Sequence, residues 1–180
     1  MHGIIHAELK KYLETKRGPD AWKRCVEAAG LGHKLYLPIN TYPDEEAVAI
    51  VTAASTLTRT PVERVLEDFG EFMAPDLLAM YRPLVNPQWK TIELLLHTED
   101  MIHRIVRTQN LGAHPPNLEF EQTGPNELRF YYNSPRRMAA LAKGIIRGVA
   151  THYGQTVLIH ERKDPDGSSE MSITVRELGP

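Results

Sequence analysis

Apolar residues recur at helical spacing through the first two thirds of the chain and then switch to alternation. Ile5, Leu9 and Tyr12 fall on one helical face, and Gly18-Pro19 ends that element. The run "PDEEAVAIV" places Pro43 first and three acids in the opening turn, which suits the positive end of a helix dipole. "TPVE" reads as a capping box: Thr60 accepts from the Glu63 amide, Glu63 reaches back, and Pro61 takes the first helical position. Pro75, Pro83 and Pro87 are expected to chop the next stretch into short pieces. From Trp89 a long helix is predicted to about Arg107, with Ile92, Leu95, Leu96, Ile102, His103 and Val106 along one side.

After "GAHPPN" the period becomes two. "LEFEQT" and "ELRFYY" flank "GPN" as a hairpin, and "QTVLIHE" and "MSITVRE" flank "DPDGSS" as another. A helix from about Pro135 to His152 lies between them. The predicted fold is α+β, in one domain spanning 1–180. A helical N-terminal lobe (about 1–110) packs on a C-terminal lobe (about 117–180) of one helix and a four-stranded antiparallel sheet.

Composition narrows the function classes. Of 180 residues, 42% are hydrophobic and 24% charged, as in an ordinary globular domain. The formal net charge of -2 offers no field for nucleic acid or acidic lipid. A lone Cys25 permits neither an internal disulfide nor a cysteine zinc site, which suits a reducing compartment. The opening "MHGIIHAELKKYLETKRG" does not read as a signal peptide, and no segment approaches the ~18 apolar residues that a membrane span needs. A cytoplasmic location without membrane insertion is expected.

Two features carry candidate chemistry. Leu128, Phe130 and Tyr132 share one strand face, so the Tyr132 hydroxyl points inward and needs a partner. An extended chain beyond it would bring Ser134 and Arg136 to the same place, and Pro135 favours that extension. A phenol, a hydroxyl and a guanidinium would then converge on an anion. The competing reading makes Ser134 a helix N-cap and leaves Arg136 and Arg137 in solvent. His103 is the second feature, an imidazole on the apolar side of the long helix. A lone buried histidine is commonly a satisfied core residue, yet one inward imidazole is also what haem ligation requires. Haem presents iron to a histidine and two propionates to cations and hydroxyls, so one histidine with one Tyr/Ser/Arg cluster matches it. His2 and His6, one helical turn apart, have a spacing that can clasp a metal at a surface, although terminal histidines commonly do nothing.

The sequence resembles the haem nitric oxide/oxygen-binding domain family, bacterial relatives of the soluble guanylate cyclase sensor domain. The likeness runs from "MHGII" through "HTEDMIHRIV" and "HPPNLEF", with the family's Tyr-x-Ser-x-Arg signature at Tyr132, Ser134 and Arg136. It implies haem b (iron protoporphyrin IX) between the lobes, with His103 as the axial iron ligand. It further implies that Tyr132, Ser134 and Arg136 hold the propionates and that Pro116 presses on the macrocycle. Oxygen-binding members place a distal tyrosine seven residues after the signature serine, and here that position is Leu141. By the same resemblance Ile5, Leu9, Met73 and Ile145 complete an apolar distal pocket. Bound oxygen gains from a hydrogen-bond donor and nitric oxide does not need one, so such a pocket favours nitric oxide by ~1–3 kcal/mol. Met73 has a thioether that can serve as a weak sixth ligand or simply fill space. The cysteine-rich zinc site of some members is missing from "HERKDPDGSSEM".

The expected function is gas sensing rather than catalysis, with nitric oxide as ligand and carbon monoxide as a second diatomic candidate. The signal would pass to a histidine kinase or a cyclic-dinucleotide enzyme. The alternatives are a haem-free interaction module of the same fold and an enzyme or phosphate-binding protein using Arg136 and Arg137. No nucleophile–base pair at motif spacing and no glycine-rich phosphate loop supports the last.

Overall fold

Each N-terminal helix forms where apolar spacing gives it a face to bury. The computed structural model describes residues 1–32, 34–109 and 115–179, so residues 112–114 of the "GAHPPN" break lie outside the described residues. Helix α1 (Gly3–Arg17) buries Leu9, Tyr12 and Leu13 and ends at Gly18, whose φ of 94° suits a residue without Cβ. Helices α2 (Ala21–Ala28), α3 (Asp44–Thr58) and α4 (Val62–Tyr81) complete a core around Leu9, Ile50, Phe69 and Met73.

Two expectations fail in this lobe. Pro75 does not break the chain, because α4 runs through it to Tyr81. An interior proline costs about 3 kcal/mol, and burial of Val65, Leu66, Phe69, Met73 and Ala74 on one face outweighs that. The capping box at "TPVE" does not form either. Pro61 occupies the cap position without a side-chain bond, and the Thr60 hydroxyl donates to the Thr58 carbonyl at 3.3 Å.

The helix predicted from Trp89 is a helical run with a change of winding. It comprises α5 (Thr91–His97), a π-helical turn (Thr98–His103) and α6 (Arg104–Gln109). Glu93 starts α5 by accepting from the Lys90 amide at 3.1 Å. A π turn holds more residues than an α turn and is frequent at functional sites. His103 closes this one.

The sheet comprises β1 (Asn117–Gly124), β2 (Glu127–Asn133), β3 (Gln155–Lys163) and β4 (Ser169–Glu177), in the order β1-β2-β4-β3, all antiparallel. Both predicted hairpins are present. Leu128, Phe130 and Tyr132 face inward with Met171, Ile173 and Val175. Helix α7 (Ala139–His152) starts later than expected. Arg137 adopts a left-handed φ of 51°, which a helix interior does not accommodate, and its amide closes a turn on the Ser134 carbonyl at 3.0 Å. Ser134 is therefore a turn residue and not an N-cap.

Helices α4 and α7 meet backbone to backbone. A Cβ on Gly144 would lie 2.1 Å from the Glu67 carbonyl oxygen, and one on Gly70 would lie 2.4 Å from that of Leu141. Lys143 reinforces the seam, 2.8 Å from Glu67 on α4 and 2.8 Å from Glu161 on β3. Among the described residues no helix is long and apolar enough to cross a membrane.

His6 is fully buried in α1, stacked on Tyr36 with ring centroids 4.3 Å apart, and neither ring nitrogen makes a well-formed hydrogen bond. Burial, aided by the Met1 amino group, lowers its pKa from 6.5 to about 4. The surface clasp imagined for His2 and His6 is thus unavailable, because packing removes His6 from solvent.

Two measurements follow from this packing. Gly144→Ala is expected to cost about 1–3 kcal/mol or more in urea unfolding, because the new methyl meets backbone that cannot swing away. Gly179→Ala, with nothing within 4 Å of its Cβ position, should stay within ~0.5 kcal/mol. For His6, the unfolded chain takes up a proton below about pH 6.5 that the native chain refuses until about pH 4. The stabilisation from its neutral ring is complete above pH 6.5 and is lost as pH falls, in total by roughly 3 kcal/mol. Thermal melts from pH 7.5 to 4.5 should show this slope in the native protein and a shallower one in His6→Phe.

Candidate functional site

A cavity of about 240 Å³ lies where the helical lobe meets the sheet lobe. Ile5 of α1, Leu77 and Tyr81 of α4, and Leu141 and Ile145 of α7 contribute to its wall. The π turn brings His103, the connector brings Pro116, and β2 with its following turn brings Tyr132 and Arg136. Residues as far apart as Met1 and Val149, 148 positions, thus share one space.

His103 is held by two acceptors. Its Nδ1 lies 3.1 Å from the Pro116 carbonyl and 3.2 Å from Glu99 Oε2. That arrangement fixes Nδ1 as the protonated nitrogen and leaves Nε2 for a ligand, the pattern that metal-binding histidines adopt. Burial pushes the His103 pKa below its ordinary value, against the opposing pull of Glu99 and the Pro116 carbonyl. Glu99 also accepts from the Leu118 amide at 3.1 Å and pairs with Arg107. Burial alone would raise the Glu99 carboxyl, but Arg107 and the Leu118 amide prevail and hold it low.

The cluster after β2 forms, though by a route the extended chain did not suggest. Tyr132 is buried, its hydroxyl accepts from the Met138 amide at 3.2 Å, and burial pushes its phenol up. Ser134 is also buried, and its hydroxyl oxygen accepts from the Arg136 amide at 3.3 Å. It is not among the residues lining the cavity. Arg136 Nε donates to Asp44 at 2.6 Å, and the other Asp44 oxygen lies 2.5 Å from the Met1 amino group. Burial would raise the Asp44 carboxyl, and these two cations outweigh it. The pairing uses only the Nε edge of Arg136, so its Nη groups stay available to a second anion at the cavity.

Of the five residues assigned to an apolar distal pocket, Ile5, Leu141 and Ile145 line the cavity. Leu9 and Met73 do not. Both are fully buried in the helical core, in a cluster against which Ile5 and Leu141 pack. Tyr81 also lines the cavity, a residue that alternation and helical spacing did not single out. Asp44 was legible only as a helix-start acid, and nothing local ties it to a residue 92 positions away.

This set of donors suits a planar, dianionic, metal-bearing group: one imidazole nitrogen, one guanidinium edge and apolar walls. Among the described residues no three His, Cys, Asp or Glu side chains gather as a metal cage. A macrocycle supplies its own equatorial ligands and needs only the imidazole.

Comparison with known proteins points the same way. The family model described as Haem-NO-binding matches residues 2–161. A soluble guanylate cyclase of Caenorhabditis elegans, gcy-34, is 22% identical over 157 residues, which is 83% of this chain but 23% of that protein. The chain therefore spans about a quarter of that relative's length. The structure is similar to a point mutant of an H-NOX protein from K. algicida in the unliganded Fe(II) state, with 26% identity, TM-score 0.89, and 98% and 97% of the two chains covered. It is also similar to an H-NOX protein from S. oneidensis in the Fe(II)NO state, with 22% identity, TM-score 0.90, and 98% and 100% covered. With the family model matched over nearly all of the chain and the fold shared from end to end, this chain belongs to the Haem-NO-binding (H-NOX) family of haem-based gas-sensor domains.

Proposed function

We propose that the chain is a nitric oxide sensor that binds haem b through His103 and does not hold oxygen stably. The observation that carries this reading is the geometry of His103: a ring at the cavity wall, with Nδ1 within reach of two acceptors and Nε2 left for iron. Tyr132 and Arg136 line the same cavity and would hold the propionates, with Ser134 ordering their turn. Lone Cys25 is buried in the helical core, so no thioether attachment is on offer and the non-covalent b type fits. Haem held by His103 would supply a ferrous iron able to bind nitric oxide, and that binding would weaken the hold of His103 on the iron.

The protein's part is to hold, orient and exclude. Leu141 and Ile145 offer the distal side no hydrogen-bond donor, which removes the main advantage oxygen would have. Pro116 fixes His103 through its carbonyl while its ring contributes to the cavity wall. Release of His103 would free the π turn and the β1 contact made through Glu99, which gives a partner two surfaces to distinguish. The partner class that fits is a histidine kinase or a cyclic-dinucleotide enzyme, with carbon monoxide as a second diatomic candidate. The chain itself acts by binding and not by catalysis.

The first test is a visible spectrum of the anaerobically reduced protein, then in air and in nitric oxide. An intense Soret band that shifts with nitric oxide and gives no stable oxygen complex is expected. A stable oxygen complex would sink the nitric oxide preference, and a protein that refuses haem would favour the haem-free interaction module. His103→Ala should lose the iron–histidine signature. Leu141→Tyr should stabilise an oxygen complex by ~1–3 kcal/mol in its dissociation rate, about 5- to 150-fold. Tyr81→Phe should leave oxygen behaviour unchanged, since the reading needs that hydroxyl to stay out of reach.

A further inference from the structure

Glu99 sits where three elements meet at the protein face of His103. Its Oε2 is 3.2 Å from His103 Nδ1 and 3.1 Å from the Leu118 amide, while Oε1 pairs with Arg107. His103 Nδ1 carries one proton and has two acceptors within reach, the neutral Pro116 carbonyl at 3.1 Å and the anionic Glu99. The two acceptors do not act alike. A carboxylate draws the proton more strongly, leaves more electron density on the ring, and makes Nε2 a better donor to a metal. A backbone carbonyl orients the ring with far less of that effect.

We infer that the Glu99 carboxylate sets the strength with which His103 holds the haem iron, and that Arg107 moderates it by competing for the same carboxylate. Glu99 is a positioning residue in this sense: it acts through the imidazole and not on iron. The inference rests on the reading of His103 as the axial ligand. Its consequence is specific. The Glu99 hydrogen bond would oppose the weakening of the iron bond by nitric oxide, so His103 is released less readily in the native protein than in a variant without the charge. Because the same oxygen holds the Leu118 amide, the strength of the iron bond and the seating of β1 against the π turn are linked through one atom.

Two variants with opposite expected signs test this in the full-length haem protein. Glu99→Gln keeps the size and an acceptor oxygen but removes the charge. Resonance Raman of the reduced, unliganded protein should show the iron–histidine stretch moved to lower frequency. The nitric oxide complex should shift towards the five-coordinate form, and haem affinity should fall by roughly 10-fold. Arg107→Ala, at a side chain 36% exposed, frees Glu99 for His103 and should move the same stretch upwards. A merely structural contact would not give a sign change between the two. If haem-loaded native protein and Glu99→Gln share the same stretch and the same nitric oxide coordination, the role of Glu99 is overturned while the sensor reading stands. If the native protein takes up no haem, the sensor reading falls and this inference falls with it.

Discussion

Backbone contact between α4 and α7 is the constraint from which the site follows. With the Gly144 Cβ position 2.1 Å from the Glu67 carbonyl, no side chain can separate the two helices there, and the lobes are held at one spacing. Leu141, Ile145 and Val149 then project from α7, and Ala74, Leu77 and Leu78 from α4, around the same cavity. Larger residues at the seam would wedge the helices apart and change the shape of the cavity between them. The Glu67–Lys143–Glu161 bridge extends this seam to β3, so the helix pair and the sheet behave as one support. Close packing of this kind transmits displacement instead of absorbing it.

Within that frame the two polar ends of the cavity are built alike. At one end an imidazole is held from behind by Glu99, and at the other a guanidinium is held from behind by Asp44. Each cavity-facing group therefore keeps one edge for its own protein and one for a ligand. A guanidinium with no protein partner would carry the full cost of desolvation, and one wholly paired would have little left to offer a carboxylate. The half-paired arrangement avoids both. It also links the cavity to the chain's first residues, because Asp44 bridges Arg136 to the Met1 amino group. The segment so held pairs with the loop before α3, through Gly3 to Asn40 at 2.7 Å and Tyr42 to Met1 at 2.9 Å.

Much of this was legible in the sequence because it rests on short-range pattern. The inward face of Leu128, Phe130 and Tyr132 follows from alternation alone, and both hairpins follow from "GPN" and "DPDGSS". What escaped was decided by contacts distant in the chain. Pro75 looked like a break because helix propensity is local, and the burial that overrides it depends on α1, α3 and α7. Ser134 looked like an N-cap because the left-handed Arg137 has no compositional signal; glycine or asparagine would have advertised it. The π turn left no signature either, since apolar spacing with His103 on the inner side suits a plain α-helix equally well. For the site, His103, Tyr132 and Arg136 were readable as residue types in search of an anion and a metal. Glu99 was readable only as an acid on or near the apolar side of the His103 helix, able to orient a ligand or to face solvent. Asp44 was readable only as a helix-start acid, because the partners of both come from the fold.

The placement of His103 on a π turn bears on how a small ligand could produce a readable change. A sensor can shift its partner's equilibrium only by the difference in free energy that the ligand creates between its two states. Coupling of 1–3 kcal/mol, typical of allosteric proteins, is about the worth of two or three hydrogen bonds. The π turn supplies them in one place. The Nδ1 contacts to Pro116 and Glu99, the Glu99 contact to Leu118 and the Arg107 pair all lie on or beside Thr98–His103. A π turn is rare overall and frequent at functional sites, and in the proposed reading these contacts would rearrange together once His103 is freed. In the proposed reading, the force on the imidazole is spent on a segment that is both the least regular part of its helix and the one joined to β1.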